Sequence, residues 1–248
     1  MLLEVDEAAL EWKVAAELSR DKTMVADIQN GVDPHGKVLR DVFKGKGERV
    51  QAKVFNFRQI YQDERKRGYG YYMDPDMPKM ARKAWDKIVD DFYGLYSGFS
   101  SGHTSQVRLV NRQGYYEGPT GRKWVFERTM TRYGLEYDRG KIYNYIVQGT
   151  SADVVKLYMV NVCSSLEHLP KVKLINCVHD SLIFDLPEKH VDEVSELCYS
   201  IGEGQAKAMG DWFGIDWVVP LAVEVKVGPT WAEMSQYERR SNVQGYYY

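Results

Sequence analysis

The sequence has few cysteines and no long apolar run, and its charges nearly balance. Its three cysteines, Cys163, Cys177 and Cys198, form no CxxC pair, so neither a disulfide framework nor a zinc site is expected. No stretch approaches the roughly 20 apolar residues that a membrane-spanning helix needs, and the first residues do not resemble a signal peptide. The 33 basic and 35 acidic residues exclude a protein that holds nucleic acid through bulk positive charge. We therefore expect a protein of the reducing cytoplasm that has no membrane contact.

What the sequence does have is enough apolar residues for a sizeable core. Its 248 residues are 44% hydrophobic, which suits one large domain or two small ones. Helical spacing of apolar residues alternates with strand-like segments near both ends, which predicts a mixed α/β body with an inserted helical block. The segments predicted as helices are residues 8–18, 23–28, 35–43, 48–62, 79–96, 151–166 and 189–212. Between them we expect a loop at Gly98–His103 and a β-hairpin over 107–126 with its turn in GPTGR.

A polar pair, His179-Asp180, interrupts the apolar segment CVHDSLIF where one strand would turn back into the next. Two-residue hairpin turns need positive φ and favour Asn-Gly or Asp-Gly, so His-Asp is locally unfavourable there and becomes a functional candidate. A solvated turn is the alternative interpretation. Cys177 and Ser181 flank the pair, but closeness along the chain does not indicate a nucleophilic triad, because the members of a triad meet in space.

Asp6 ends another apolar strand near the N-terminus, and Glu11 follows in the next helix. Taken alone, Asp6 is better explained as a helix cap. If the strands of Asp6 and Asp180 are neighbours in one sheet, their carboxylates meet at one end and repel each other unless a proton or a cation is bound. Carboxylate oxygens suit Mg²⁺, so the pair indicates a magnesium site.

A basic and aromatic stripe follows the predicted helix over residues 48–62. Arg49, Lys53, Phe57 and Tyr61 recur at every fourth position and therefore lie on one slowly drifting face. The two cations repel each other, which favours a polyanion as their partner, and the rings offer a surface for a base or a sugar. A solvated face beside the core is the alternative.

Taken in order, these segments resemble the motifs of family A DNA polymerases. VDEAALEWK resembles motif A, usually DYSQIELR, with Asp6 on its metal-binding aspartate and Glu11 on its sugar-discriminating glutamate. The helix over 48–62 resembles motif B, RxxxKxxxFxxxYG, and VHDSLIF resembles motif C, VHDE. Intervening segments also match, so the resemblance covers roughly residues 3 to 233. It implies an α+β fold, with a polymerase palm on a small antiparallel sheet and an inserted, mostly helical fingers subdomain.

The resemblance implies template-directed transfer of deoxynucleotides to a primer 3′-hydroxyl, with two Mg²⁺ ions as cofactors. Asp6, Asp180 and the backbone carbonyl of Glu7 would bind the ions. Arg49 and Lys53 would neutralise the triphosphate, and Lys53 would also protonate the leaving group.

Further roles concern the nucleotide and the primer–template DNA. Phe57 would lie against the incoming sugar and base, Tyr61 would gate the template position, and Glu11 would exclude a ribose 2′-hydroxyl. The minor groove of the duplex would be contacted by His179, Gln148, Asn144 and Arg139, although the spacing of Arg139 is one residue off the family pattern.

The resemblance also assigns subdomains and a partner. Residues 1–20 and 138–236 form the palm, with the motif C hairpin at about 172–185; residues 21–137 form the fingers, and 237–248 a mobile tail. The thumb and exonuclease that precede motif A in the family have no counterpart in the sequence. We expect a separate polypeptide, the other half of a split and phage-encoded polymerase, to supply the thumb and possibly the exonuclease; a truncated gene is the alternative. The expected location is the cytoplasm of a bacterium or of a phage-infected host.

Departures from the motifs leave other functions open. The usual residues are replaced by Glu7-Ala8-Ala9 and Lys13 in motif A, by Gln62 after motif B and by Ser181 in motif C. We expect these changes to alter metal affinity and primer contacts rather than to abolish the chemistry. A non-catalytic remnant that serves as a DNA-binding or replisome scaffold is the alternative function. A metal-dependent nuclease is disfavoured, because the basic and aromatic stripe would have no task in hydrolysis.

Overall fold

The computed structural model describes residues 1–62, 79–131 and 134–239. The helices in these residues are α1 (Leu10–Ser19), α2 (Lys22–Gln29), α3 (Pro34–Asp41), α4 (Arg49–Gln62), α5 (Arg82–Leu95), α6 (Ser97–Gln113), α7 (Arg139–Ser165) and α8 (Val191–Phe213). The strands are β1 (Leu2–Glu7), β2 (Tyr115–Glu117), β3 (Lys123–Val125), β4 (Arg128–Thr131), β5 (Gly134–Tyr137), β6 (Lys173–Val178), β7 (Ser181–Asp185), β8 (Val223–Gly228) and β9 (Ser235–Gln236). The predicted α+β class is confirmed. No helix in the described ranges has both the length and the apolar character that crossing a membrane requires.

The chain divides into two compact units. The first unit contains Met1–Leu10 and Thr150–Tyr248, and the second contains Glu11–Gly149. Helix α7 contributes residues to both units, since the division falls at Gly149 and Thr150. The palm and fingers boundaries expected from the resemblance stay predictions.

A five-stranded antiparallel sheet in the order β6-β7-β1-β8-β9 forms the centre of the first unit. The strand at the N-terminus is therefore central, although it is short, because β7 and β8 return from the far end of the chain to pair with it. Alternate residues of β1, Leu3, Val5 and Glu7, are buried, as expected for a strand with one face on a core. Helix α8 contacts β8 and β1.

An aromatic core fills the second unit, where helices supply rings at 5.1–6.5 Å between centroids. Its members are Phe43, Phe55, Trp85, Phe92, Tyr96 and Phe99. Most pairs pack edge to face, the arrangement that the charge distribution of aromatic rings favours. This core holds α4 in place through Phe55, while other residues of α4, such as Arg49 and Lys53, are exposed to solvent.

Two predictions about the middle of the chain were wrong. Helix α6 runs through the loop predicted at Gly98–His103 and ends at Gln113, inside the segment predicted as a hairpin from Val107. The hairpin itself exists in shorter form, since β2 pairs with β3 across the GPTGR turn. A second hairpin, β4 with β5, was not predicted.

Close packing explains the glycines that suggested a loop. A Cβ atom at Gly98 would lie 2.8 Å from the Cα atom of Asp21, and one at Gly102 would lie 3.0 Å from the Cβ atom of Ser19. The backbone N–H of Phe99 also donates to the Asp21 carboxylate at 3.0 Å. These glycines therefore allow α6 to approach the start of α2, and they do not break the helix.

The C-terminal residues that the structure describes are packed. The hydroxyl of Tyr237 donates to Asp192 at 3.2 Å, and the guanidinium of Arg239 donates to Glu196 at 3.2 Å. The start of the predicted mobile tail is thus held against α8. The remainder of that tail, 240–248, and the segment 63–78 lie outside the described residues.

Candidate active site

The turn between β6 and β7 has the unusual backbone that its sequence predicted. Val178 pairs with Ser181, which leaves His179 and Asp180 as a two-residue turn. His179 has a φ of 55°, in the left-handed region that residues with a side chain seldom adopt. Ser181 is buried, and its hydroxyl donates to the carbonyl of Val178 at 3.1 Å, which links the two ends of the turn.

The sheet brings Asp6 and Asp180 together. Asp6 lies opposite Ser181 in the β1–β7 pair, and the N–H of Glu7 donates to the carbonyl of Asp180 at 3.2 Å. Burial, followed by the negative charge of Asp180, raises the pKa of Asp6 to about 6. Two carboxylates that are distant in sequence thus meet at one end of the sheet, as the motifs predicted.

A third acid and a base lie beside this pair on β8. Glu224 is directly opposite Asp6, and Lys226 is opposite Glu4. Glu224 adds to the raised pKa of Asp6, whereas the positive charge of Lys226 lowers it. Sequence reasoning missed both residues, although the alternation in VEVKV already placed them on one face of a strand.

The donor set suits a hard divalent cation. Two carboxylates at close range repel each other, and a cation between them removes the repulsion that the raised pKa of Asp6 reports. In the described part of the chain, no group of three His, Cys, Asp or Glu side chains has the geometry of a metal site. Mg²⁺ commonly takes one or two carboxylates and completes its shell with substrate phosphates, so a pair is sufficient.

The basic and aromatic stripe of α4 has the predicted helical form. Arg49 and Lys53 are exposed, whereas Phe57 and Tyr61 are half-buried. The ammonium of Lys53 lies 5.9 Å from the centre of the Phe57 ring, within reach of a cation–π contact. The stripe therefore presents its cations to solvent and its rings partly to the protein.

Arg49 has a carboxylate partner that sequence reasoning missed. Its guanidinium donates two hydrogen bonds to Asp33, at 2.7 and 2.8 Å. The same carboxylate caps α3 by accepting from the N–H groups of His35 and Gly36. The bond from Arg49 holds the pKa of Asp33 below its usual range. The sequence signals the helix start at Asp33-Pro34 but not the bond of Asp33 to Arg49, which lies 16 residues away.

His35 also lies beside the stripe. Its ring is 6.1 Å from that of Phe57, and its Nδ1 atom is 3.0 Å from the side-chain amide of Asn56. An amide nitrogen can only donate, so Nδ1 accepts and the neutral ring carries its proton on Nε2. Burial lowers the pKa of His35 to about 4, and the positive charge of Arg49 acts in the same direction.

Helix α7 places two of the predicted DNA-contacting residues on one face. Asn144 is half-buried and Gln148 is exposed one turn later. Arg139 precedes Asn144 by five residues, which is about 140° around the helix, so it does not share this face. Lys141 does share it, three residues before Asn144 and seven before Gln148, and it is exposed. The remaining candidate, Glu11, is half-buried in the first turn of α1.

Comparison with known proteins identifies this arrangement. The fold is that of a polymerase domain: a solved structure described as the POL domain of Pol1 from M. smegmatis, in complex with DNA primer-template and dNTP, superposes with a TM-score of 0.74 at 22% identity, over 93% of this chain and 40% of that one. The family model for DNA polymerase family A matches residues 1–233, and the chain belongs to this family.

Curated relatives agree with this assignment. The chain is 28% identical over 239 residues to DNA polymerase I of Chloroflexus aurantiacus, a match that covers 93% of this chain and 24% of that protein. It is 25% identical over 240 residues to DNA polymerase I of Bacillus subtilis, covering 93% of this chain and 26% of that protein. The chain thus spans about a quarter of the length of these relatives.

Proposed function

We propose that this chain adds deoxynucleotides to the 3′-hydroxyl of a primer under the direction of a template. The observation that carries the proposal is the meeting of Asp6 and Asp180 at the end of the five-stranded sheet, where burial and mutual repulsion raise the pKa of Asp6 to about 6. Membership of DNA polymerase family A supports the choice of reaction.

Two carboxylates and one carbonyl form the proposed ligand set for two Mg²⁺ ions. The ligands are the carboxylates of Asp6 and Asp180 and the backbone carbonyl of Glu7. When bound, the ions make the primer 3′-hydroxyl more acidic and stabilise the leaving pyrophosphate. The chain itself contributes a fixed pair of acids whose repulsion in the metal-free state favours cation binding.

The second unit supplies groups for the nucleotide. Arg49 and Lys53 neutralise the triphosphate, and Lys53 protonates the leaving group. Phe57 contacts the sugar and base, and Tyr61 gates the template position. In this structure Asp33 accepts two hydrogen bonds from the guanidinium of Arg49. The guanidinium has further N–H groups that can donate to a phosphate.

Glu11 and a set of polar residues complete the proposed specificity. Glu11 excludes a ribose 2′-hydroxyl and thereby favours deoxynucleotides. Asn144, Gln148 and His179 bind the minor groove of the primer–template, where the acceptors of all base pairs are nearly alike and report pair shape. Lys141 takes the place that the resemblance gave to Arg139, because it shares a helix face with Asn144 and Gln148.

The proposed partners are therefore primer–template DNA and deoxynucleoside triphosphates. A solved polymerase domain of the same fold is described as a complex with both. The phage origin and the separate thumb-bearing polypeptide stay predictions. Affinity purification of the tagged chain from its native source, followed by identification of co-purifying polypeptides, is the measurement that addresses the second of them.

Extension of a labelled primer tests the proposal. The chain is assayed alone and together with any polypeptide that co-purifies with it, since a separate thumb-bearing polypeptide is expected. With Mg²⁺ and the four deoxynucleotides, the wild-type chain should add the base that the template specifies in at least one of these two assays. Asp180→Asn should lower the rate by about a hundred- to a thousandfold, the range expected when one group that stabilises developing charge is removed, while DNA binding persists. The isosteric amide keeps the shape of the turn and removes only the charge.

The other functions give different results in the same assay. A wild-type chain that binds primer–template but adds no nucleotide, either alone or with the polypeptides that co-purify with it, would contradict the proposal and favour a non-catalytic scaffold. Shortening of the labelled strand without nucleotides, abolished by Asp180→Asn, would instead identify a nuclease. Addition without regard to the template base would contradict template-directed synthesis.

A further inference from the structure

Glu7 is a buried acid directly behind the candidate metal site. It follows Asp6 in β1, and successive side chains of a strand point to opposite faces of the sheet. Glu7 shares the buried face with Leu3 and Val5 and is 3% exposed, whereas Asp6 lies on the other, half-buried face. The polymerase motif usually has tyrosine at this position, so Glu7 is a departure that the proposed chemistry leaves unexplained.

Gln205 of α8 is the partner of this carboxylate. Its amide nitrogen donates to the Oε1 atom of Glu7 at 2.7 Å and to the backbone carbonyl of Val154 in α7 at 3.2 Å. Gln205 is fully buried, and both of its N–H groups are used by these two bonds. One amide thus ties the end of β1 to both helices beneath the sheet.

The backbone of Glu7 connects this anchor to the two carboxylates. Its N–H donates to the carbonyl of Asp180, and its own carbonyl is the proposed third metal ligand. A rotation of β1 at Glu7 would therefore move Asp6, the carbonyl and the contact to Asp180 together. Inside a protein such a rotation is opposed strongly, because it would strip a buried carboxylate of its hydrogen bond.

We propose that Glu7 and Gln205 form a buried anchor that positions Asp6 and the Glu7 carbonyl for binding divalent cations. The inference rests on the proposed function, since it concerns the same cation site. Glu7 is a positioning residue, because its side chain faces away from the site and acts through the strand. Groups that orient metal ligands in this way commonly change metal affinity by about 10- to 100-fold when they are removed.

The affinity of the full chain for Mn²⁺ tests the anchor without any activity assay. Electron paramagnetic resonance measures the free ion during the titration. Glu7→Ala and Gln205→Ala should each weaken Mn²⁺ binding by about tenfold or more. The double variant should bind no worse than the weaker single variant, because both changes break one interaction. Glu7→Gln should restore near wild-type affinity, since its amide oxygen can accept the same bond.

Tyr158→Phe is the matched control. The Tyr158 hydroxyl donates to the carbonyl of Cys198 at 2.9 Å, a buried bond that also joins α7 to α8. Burial raises the pKa of this hydroxyl and the charge of Glu7 adds to the rise, but Tyr158→Phe leaves the bond between Gln205 and Glu7 in place. Loss of the Tyr158 hydrogen bond should lower the melting temperature and leave Mn²⁺ affinity unchanged. If Glu7→Ala does not fold, Gln205→Ala and Glu7→Gln decide the question.

Two other outcomes are distinguishable. Anchor variants that lower the melting temperature as Tyr158→Phe does, yet bind Mn²⁺ like the wild type, would overturn the anchor while the cation site stands. If the Asp6→Ala and Asp180→Ala variants bind Mn²⁺ as tightly as the wild-type chain does, the cation site is wrong and so is the anchor.

Discussion

His179 and Asp6 occupy positions that cost stability. A histidine with a φ of 55° is strained, and a half-buried carboxylate with a pKa of about 6 is both desolvated and repelled by Asp180. Strain and shifted pKa values concentrate at functional sites, where the surrounding structure maintains them. Here the β6–β7 and β1–β7 pairings hold the strained backbone of His179 and the desolvated carboxylate of Asp6 in place. Both unfavourable features lie at the same end of one sheet.

His35 allows a prediction about pH. Its pKa is about 4 in the folded chain, below the ordinary value of 6.5, so the unfolded chain binds the proton more tightly. The contribution of the neutral His35 ring to stability is therefore complete above pH 6.5 and declines as the pH falls toward 4. We expect His35→Gln to lose less melting temperature than the wild type between pH 7 and pH 5, measured by circular dichroism.

An exposed histidine provides the comparison. His168 has 61% of its side chain accessible, so His168→Gln is the matched control for replacing a buried histidine by glutamine. A wild-type chain and a His35→Gln variant that lose melting temperature in parallel would show that burial of the His35 ring does not control acid stability.

At the scale of elements, α7 separates two basic residues that are close in sequence. Lys141 lies on the face of Asn144 and Gln148, whereas Arg139 lies about 140° away from Asn144. Both side chains are exposed, so their difference is one of direction and not of accessibility. A DNA duplex bound at the face of Asn144 and Gln148 would therefore contact Lys141 and not Arg139.

Substitution of these two residues tests the proposed DNA-binding face. Lys141→Ala should weaken binding of primer–template and reduce the slope of log affinity against log salt by about 1, as expected for the loss of one phosphate contact. Arg139→Ala, the matched control on the same helix, should change both quantities much less. Fluorescence anisotropy over a salt series measures them, and a larger effect of Arg139→Ala would contradict the assignment of this face.

The helices were predicted correctly where local sequence determines them, and incorrectly where packing between distant residues determines them. Helix α3 was foreseen from Asp33-Pro34, because capping and a fixed proline φ are local properties. Helix α6 was not, because Gly98 resembles a loop residue unless its approach to Asp21 is known. The same limit applies to Arg49, whose bond to Asp33 spans 16 residues.

At the scale of the molecule, the site depends on strands from both ends of the chain. The two aspartates were predictable because each ends an apolar strand within a recognisable motif. Their neighbour Glu224 was not, since the β1–β8 pairing that places it opposite Asp6 appears only in the folded sheet. The Glu7–Gln205 bond, which joins residues 198 positions apart, was hidden for the same reason.

The near-neutral net charge of the chain agrees with DNA recognition by a few local side chains rather than by overall positive charge. A net charge of −2 offers little long-range attraction for DNA, so the proposed binding depends on individual groups such as Lys141. The relatives are about four times as long, and the family model matches residues 1–233 of this chain. Its proposed activity therefore depends on a cation site contained within the first unit.

Anomalous scattering from crystals of the chain soaked in Mn²⁺ tests that site most directly. We predict an anomalous difference peak in contact with the carboxylates of Asp6 and Asp180 in the wild type, and no peak there in Asp180→Asn crystals prepared in the same way. Crystals of the wild-type chain with Mn²⁺ bound only elsewhere, or with no peak between these two side chains, would contradict the account.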